Sequence, residues 1–274
     1  MPTIKTRDGV DLYVKDWGFG PAVVLIHGWP LNADSWEDQA LALAEAGFRV
    51  IAYDRRGFGR SGQPWSGYDY DTLSDDLADV LEATGAQDAA LFGFSMGGGE
   101  VARYMSRHGG KNVRAAGLIA SVVPYLLKDD SNPDGIEESV FEEQMKQPIR
   151  DDRATFFAKF SKYFYGVGYV SSPVGEAVLH RFELMASQGC IKAILDCVDA
   201  FGKTDFRPDL AAFKVPTLIV HGTDDQTVPI EPSARAAARG IAGAQLIEYK
   251  GEPHGLTVTA KDRLSRDMLA FLAA

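Results

Sequence analysis

The sequence predicts an α/β protein with a mostly parallel, eight-stranded sheet, helices on both faces and an inserted helical cap. Three observations carry this expectation. Short apolar runs of the kind buried in parallel sheets alternate with amphipathic segments along most of the chain. One of these runs, Ala89-Ala90-Leu91-Phe92, passes into Gly93-Phe94-Ser95-Met96-Gly97 and then into a helical pattern, so a serine sits on a strand-to-helix turn. The alternation breaks near Pro124 and resumes only at Val215, and a stretch of that length must have structure of its own.

Taken in order, Ile4 to Trp17 reads as an antiparallel hairpin around the Asp8-Gly9 turn. Ala22-Val23-Val24-Leu25-Ile26 is a continuous apolar strand that stops at His27-Gly28-Trp29-Pro30, and a loop at the carboxyl end of such a strand is where α/β proteins bind ligands. A helix from near Ser35 and a strand from Phe48 to Tyr53 follow. Asp54-Arg55-Arg56-Gly57-Phe58-Gly59-Arg60-Ser61 concentrates charge, but its glycines match no P-loop; Asp54 beside Arg55 and Arg56 reads as an ion-paired turn that fixes the loop below the site. Leu73, Leu77, Val80 and Leu81 recur at i, i+4, i+7 and i+8 with Asp75, Asp76 and Asp79 on other faces, the pattern of an amphipathic helix. After Ser95 a helix carries Val101, Tyr104 and Met105 on its apolar side, and strands follow at Val113 to Ser121, Val215 to Val220 and Gln245 to Tyr249. This divides the chain into a core of residues 1–123 and 214–274 and a helical cap of residues 124–213.

Composition narrows the function classes. A net charge of −10 and a pI near 5.0 disfavour a nucleic-acid surface, which needs clustered Lys and Arg. No apolar run approaches the roughly 20 residues needed to span a bilayer, and the Met1-Pro2-Thr3-Ile4-Lys5 start lacks the charged-then-apolar pattern of a signal peptide. A cytoplasmic protein without membrane partners is expected. Cys190 and Cys197 lie two helical turns apart and are expected as free, buried thiols.

A serine is a poor nucleophile at neutral pH and needs a base, an acid behind it and an oxyanion site. Val220 runs into His221-Gly222-Thr223-Asp224-Asp225, again at a strand end, where Asp224 and Asp225 compete as the candidate acid; the resemblance of the Gly-x-x-Asp spacing from Gly222 to the α/β-hydrolase pattern implies Asp225. The strand ending at Tyr249 leads to His254, the candidate base, and the order Ser, Asp, His is that of the α/β-hydrolase fold. His27 and His221 end strands before glycine and are expected to make structural hydrogen bonds; His108 and His180 have no partner at metal-ligand spacing, and neither a metal nor another cofactor is expected. The oxyanion donors are expected to be the backbone N–H groups of Trp29 and Met96. The cap is rich in aromatic residues, among them Phe141, Phe156, Phe157, Phe160, Tyr163 and Tyr169. A lid over a site must turn some of them downwards, and the expected pocket is Pro30, Val122, Phe141, Phe157, Phe160, Val228 and Leu256.

The combination of His27-Gly28-Trp29-Pro30, Asp54-Arg55-Arg56-Gly57-Phe58-Gly59-Arg60-Ser61, Gly93 to Tyr104 and Asp205-Phe206-Arg207-Pro208-Asp209 resembles the bacterial cofactor-free haloperoxidases, also described as aryl esterases and perhydrolases. The resemblance covers essentially the whole chain. It implies a Ser95 acyl-enzyme formed from a small ester and resolved by water, giving the acid, or by hydrogen peroxide, giving a peracid that oxidises halide in solution. It also leaves a homo-oligomer open. Pro30 fixes its own φ and biases Trp29 towards extended backbone, which suggests that it favours peroxide by presenting the Trp29 carbonyl to it; the alternative is that Pro30 merely ends a turn.

Ser95 argues against a dehalogenase or an epoxide hydrolase, which need a carboxylate nucleophile. Lactonase, carbon–carbon hydrolase and hydroxynitrile lyase chemistry use the same triad and stay open, as does a non-catalytic receptor that binds a small apolar ligand beneath the cap.

Overall fold

The computed structural model describes residues 2–168 and 171–273, so Tyr169 lies outside the described residues. Strands β1 (Thr3–Lys5), β2 (Asp11–Trp17), β3 (Ala22–Ile26), β4 (Arg49–Tyr53), β5 (Ala89–Phe94), β6 (Val113–Ile119), β7 (Thr217–Gly222) and β8 (Gln245–Tyr249) form one sheet in the order β1-β2-β4-β3-β5-β6-β7-β8. The hairpin strands β1 and β2 pair antiparallel with each other, β2 pairs antiparallel with β4, and every later pairing is parallel. Every residue of β3, β5 and β7 is buried, which is why these strands read as unbroken apolar runs. β6 and β7 sit about two residues away from the expected bounds. Pro216 has no N–H to give the ladder, and its carbonyl accepts from Ala116 just before β7 begins, while the Ser121 hydroxyl accepts from Val123 N–H in the turn after β6.

Helices α1 (Glu37–Glu45), α2 (Tyr70–Thr84) and α3 (Met96–Arg107) cover the first half of the sheet. A short 3₁₀ turn capped by Asn32 precedes α1, so the expected start near Ser35 falls inside that turn. Asp69 caps α2 by accepting from Thr72 N–H, and Gly85 ends it in the left-handed conformation. Leu73, Leu77, Val80 and Leu81 are buried as their spacing predicts. Asp76 is buried too, against the expectation of an outward face, because Arg56 reaches it in a two-toothed ion pair with both bonds at 2.6 Å.

The charged turn after β4 is ion-paired, but not between the neighbours Asp54, Arg55 and Arg56. Asp54 binds Arg60, Arg56 binds Asp76 and Asp8, and Arg55 pairs with Glu100 on α3. Successive side chains of an extended segment point in different directions, so Arg55 and Arg56 reach two separate helices while Asp54 folds back onto Arg60 of the same turn.

Between β6 and β7 lie α4 (Gln147–Phe164), α5 (Glu176–Ser187) and α6 (Ile191–Lys203), with a π-helical stretch at Val140–Lys146 leading into α4. Cys190 caps α6 and is half-buried, a correction to the fully buried thiol expected there, while Cys197 is buried; both are free. Helices α7 (Ala236–Gly240), α8 (Leu256–Thr259) and α9 (Lys261–Leu272) close the fold. Among the described residues no helix is long and apolar enough to cross a membrane.

Candidate active site

Four strand ends converge at the carboxyl edge of the sheet. β5 delivers Ser95 at φ 53°, a left-handed conformation that a serine adopts only under constraint from its surroundings. The constraint is the close approach of α3 to the strands. A Cβ on Gly97 would stand 2.4 Å from the Ile26 carbonyl, so only glycine lets the helix start directly over the end of β3. A Cβ on Gly28 would meet Ser95 Cβ at 2.9 Å, which puts the loop after β3 against the serine.

The turn after β7 carries Asp225, and the turn after β8 carries His254. His254 Nε2 lies 2.9 Å from Ser95 Oγ, and His254 Nδ1 lies 2.6 Å from Asp225 Oδ2. All three side chains are buried. The other Asp225 oxygen accepts from the N–H groups of Thr227 and Val228 at 2.9 and 2.7 Å. Burial by itself would push the Asp225 carboxyl upwards; the attraction of His254 and the hydrogen bond from His221 outweigh it, holding the group well below the usual carboxylate range. Asp225 is therefore an anion facing an imidazole, the arrangement that orients a base and stabilises its protonated form. Asp224 is exposed and bonds Gln226, as a surface turn residue would.

The imidazole of His254 is packed between Phe94, with ring centres 5.3 Å apart, and Phe164, at 4.8 Å edge-on. His27 and His221 make the hydrogen bonds expected of strand-end histidines, and His221 also contacts Asp225, which its place in the sequence did not reveal.

Trp29 begins the loop above the serine. Its indole Nε1–H donates to the Ile194 carbonyl at 3.1 Å, and its ring packs against Phe156, Phe157, Phe160 and Phe201. Helices α4 and α6 thus hold the side chain while the backbone stays at the site. Met96 is buried at the start of α3, and the Tyr70 hydroxyl donates to its carbonyl at 3.0 Å. Phe206, from the stretch Asp205 to Arg207, stands edge-on to Tyr70 at 4.6 Å and so braces the same helix start.

A cavity of about 410 Å³ opens above Ser95 and His254. Val122, Phe141, Phe160 and Val228 line it, as does Trp29. Pro30, Phe157 and Leu256 do not. Phe157 turns away because α4 advances about 100° per residue, so Phe156 and Phe160, one turn apart, face the cavity and Phe157 packs behind Trp29. Leu256 is fully buried as the first residue of α8, and Pro30 is buried within the loop, its peptide bond to Trp29 being cis. Phe156, Phe201, Met145, Gln144 and Thr227 also line the cavity. The i, i+4 spacing of Phe156 and Phe160 is the signal that could have selected the first of these. No Asp, Glu, Lys or Arg is among the described lining residues.

A buried serine on a strained strand-to-helix turn, a histidine and an acid from later strands, and an apolar cavity under inserted helices match the arrangement of α/β enzymes with a serine nucleophile. The α/β hydrolase fold family matches residues 21–259, and the chain belongs to it. Within that family it is 44% identical to a non-heme chloroperoxidase of Kitasatospora aureofaciens, with 99% of each chain covered. It is 41% identical to a bifunctional esterase/perhydrolase of Acinetobacter calcoaceticus, again over 99% of each chain. The solved structure of a bromoperoxidase from Bacillus anthracis superposes with a TM-score of 0.96 at 43% identity, covering 100% of this chain and 99% of that one.

Proposed function

We propose that the protein is a serine esterase and perhydrolase that acts on small carboxylic esters through an acyl-enzyme on Ser95, and that the peracid it releases gives it haloperoxidase activity without a cofactor. The observation that carries this reading is the Ser95–His254–Asp225 chain of contacts, at 2.9 and 2.6 Å, on the floor of a cavity without formally charged walls.

In this mechanism His254 Nε2 takes the Ser95 proton as Oγ attacks the ester carbonyl, and Asp225 stabilises the resulting imidazolium. The carbonyl oxygen becomes an oxyanion met by the N–H groups of Trp29 and Met96. Collapse of the tetrahedral intermediate breaks the bond to the leaving alcohol, which takes the proton back from His254, and leaves an ester on Ser95. Water or hydrogen peroxide then attacks with His254 again as base, releasing the acid or the peracid and restoring Ser95. The peracid transfers its terminal oxygen to halide, becoming the carboxylic acid as the halide becomes hypohalite. Desolvating a charge would penalise esters with ionised arms, and the apolar walls favour neutral ones. Residues 124–213 serve as the cap that carries most of these walls. The free thiols Cys190 and Cys197 suit a reducing cytoplasm.

The test is turnover of p-nitrophenyl acetate with and without hydrogen peroxide. Hydrolysis in both cases, peracid formation with peroxide, and loss of both in Ser95→Ala are expected. Turnover that survives Ser95→Ala would overturn the mechanism, and a wild-type protein that hydrolyses but forms no peracid would overturn the perhydrolase part.

A further inference from the structure

The two N–H groups that would meet the oxyanion belong to peptide planes whose carbonyls are held from behind. In a trans peptide the C=O and N–H point in opposite directions, so whatever fixes the carbonyl also aims the N–H. The Ser95 carbonyl, which shares its plane with Met96 N–H, accepts from Gly98 N–H at 3.0 Å and from Val122 N–H at 3.3 Å. The Gly28 carbonyl shares its plane with Trp29 N–H. It accepts from Leu31 N–H at 3.0 Å and lies 2.9 Å from His27 Nδ1.

Hydrogen bonding settles which ring nitrogen of His27 carries the proton. Nε2 accepts the backbone N–H of Arg55 at 2.9 Å and so bears none; the proton sits on Nδ1 and is donated to the Gly28 carbonyl. Complete burial, with Arg55 adjoining, holds this imidazole well below its usual range, so it stays neutral. The Arg55 guanidinium Nη2 donates to the His27 carbonyl at 2.6 Å, and its Nε donates to Glu100 on the second turn of α3. Tyr53 occupies the other Glu100 oxygen at 2.6 Å. Arg55 and Glu100 have no solvent exposure, and a fully buried ion pair is a weak source of stability but a strict constraint on geometry. It ties the loop that leads to Trp29 to the helix that begins at Met96.

We propose that His27 is a positioning residue of the oxyanion site, aiming the Trp29 N–H through the Gly28 carbonyl, and that Arg55 clamps it to Glu100 so that the two donors are held as one body. The role rests on the acyl-transfer reading above. It separates from mere structural support because a misaimed donor weakens the transition state more than the bound ester.

His27→Leu removes the Nδ1 donor, whereas His27→Asn places an amide N–H close to it. With p-nitrophenyl acetate, His27→Leu is expected to lower kcat about 10- to 100-fold with KM nearly unchanged, less than or equal to the loss of a whole donor. Affinity for a trifluoromethyl ketone that forms a tetrahedral adduct on Ser95 falls in parallel, and His27→Asn recovers a good part of both. The proposal is overturned if adduct affinity holds while only the melting temperature drops, or if His27→Asn is no better than His27→Leu. Should both variants fail to fold, the ¹⁵N shifts of His27 in the wild-type protein decide: a neutral ring protonated on Nδ1 at pH 7 is expected, and an imidazolium or an Nε2-protonated ring overturns it. Activity surviving in Ser95→Ala would instead remove the acyl-transfer reading, so the two failures are distinguishable.

Discussion

His221 Nε2 lies 3.2 Å from Asp225 Oδ2, the same oxygen that meets His254 Nδ1 at 2.6 Å. The acid behind the candidate base is therefore met by two imidazoles and two backbone N–H groups. His221 Nε2 also lies 2.8 Å from the Val228 carbonyl, so it carries the proton and shares it between that carbonyl and the carboxylate. Removing it strands a buried acceptor. His221→Leu is expected to cost about 1–3 kcal/mol of stability and to lower kcat, with His221→Gln recovering part of both; urea unfolding and steady-state kinetics on the three proteins check this.

Asp225→Asn should leave the fold standing and lower kcat by about 10⁴, because the amide favours the wrong histidine tautomer. Its pH signature has a definite sign. A carboxyl whose folded pKa is depressed contributes stability above the ordinary carboxylate range and loses it as pH falls through the folded value. Unfolding free energies of wild type and Asp225→Asn should therefore differ most near neutrality and converge in acid.

A milder version of the same linkage applies at Asp8. The hydrogen bond from Arg56 is the largest influence and brings this carboxyl down to about 2 from 3.8. Its contribution is present above about pH 4 and is lost as pH falls through the folded value near 2. The Asp8 side chain is 47% exposed, so solvent screening keeps that contribution below about 1 kcal/mol. Asp8→Asn should show this small loss at pH 7 and a clearly smaller one at pH 2; a larger loss at pH 7 would mean that Asp8 also holds Arg56 onto Asp76.

Gly97→Ala puts a methyl group against the Ile26 carbonyl, and neither backbone has a side chain that can move aside. Overpacking of this kind costs about 1–3 kcal/mol. Because α3 must retreat from β3, and Met96 N–H goes with it, kcat should fall further than the change in melting temperature alone explains. A folded Gly97→Ala variant with wild-type kcat would contradict this account of the helix start.

Phe160 lines the cavity and touches Trp29, with ring centres 5.6 Å apart. Phe160→Ala enlarges the space above Ser95 and is expected to raise the preference for a longer acyl chain, read as the kcat/KM ratio of p-nitrophenyl hexanoate to acetate, by about 10-fold, the low end of what one methylene in an apolar pocket is worth. The same truncation at Phe157, which stands behind Trp29, should change that ratio much less.

Much of this was legible before any coordinates. Apolar runs marked the strands, and loops directly after them carry Trp29, Ser95, Asp225 and His254, whose positions follow from local sequence because a parallel sheet presents its carboxyl ends together. The cap was harder. Phe156 and Phe157 are adjacent and chemically the same, and only the rotation of α4 against Trp29 decides which one meets the cavity. The helical spacing predicts an outward Asp76, and only the fold brings Arg56, 20 residues earlier, beside it.

By itself the sequence determined the sheet, the serine turn and the family, and it placed the candidate serine, acid and histidine at strand ends, since each is written within a few residues by strand pattern, glycine spacing or motif. Only the tertiary structure decided which aromatic rings line the cavity, that His221 shares Asp225, and that His27, Arg55 and Glu100 form one buried chain behind the proposed oxyanion donors. Those contacts join residues 28 and 45 positions apart. No local pattern encodes a partner at that distance; packing selects it, because a charge or a ring nitrogen taken out of water must find its hydrogen bonds wherever the fold brings them.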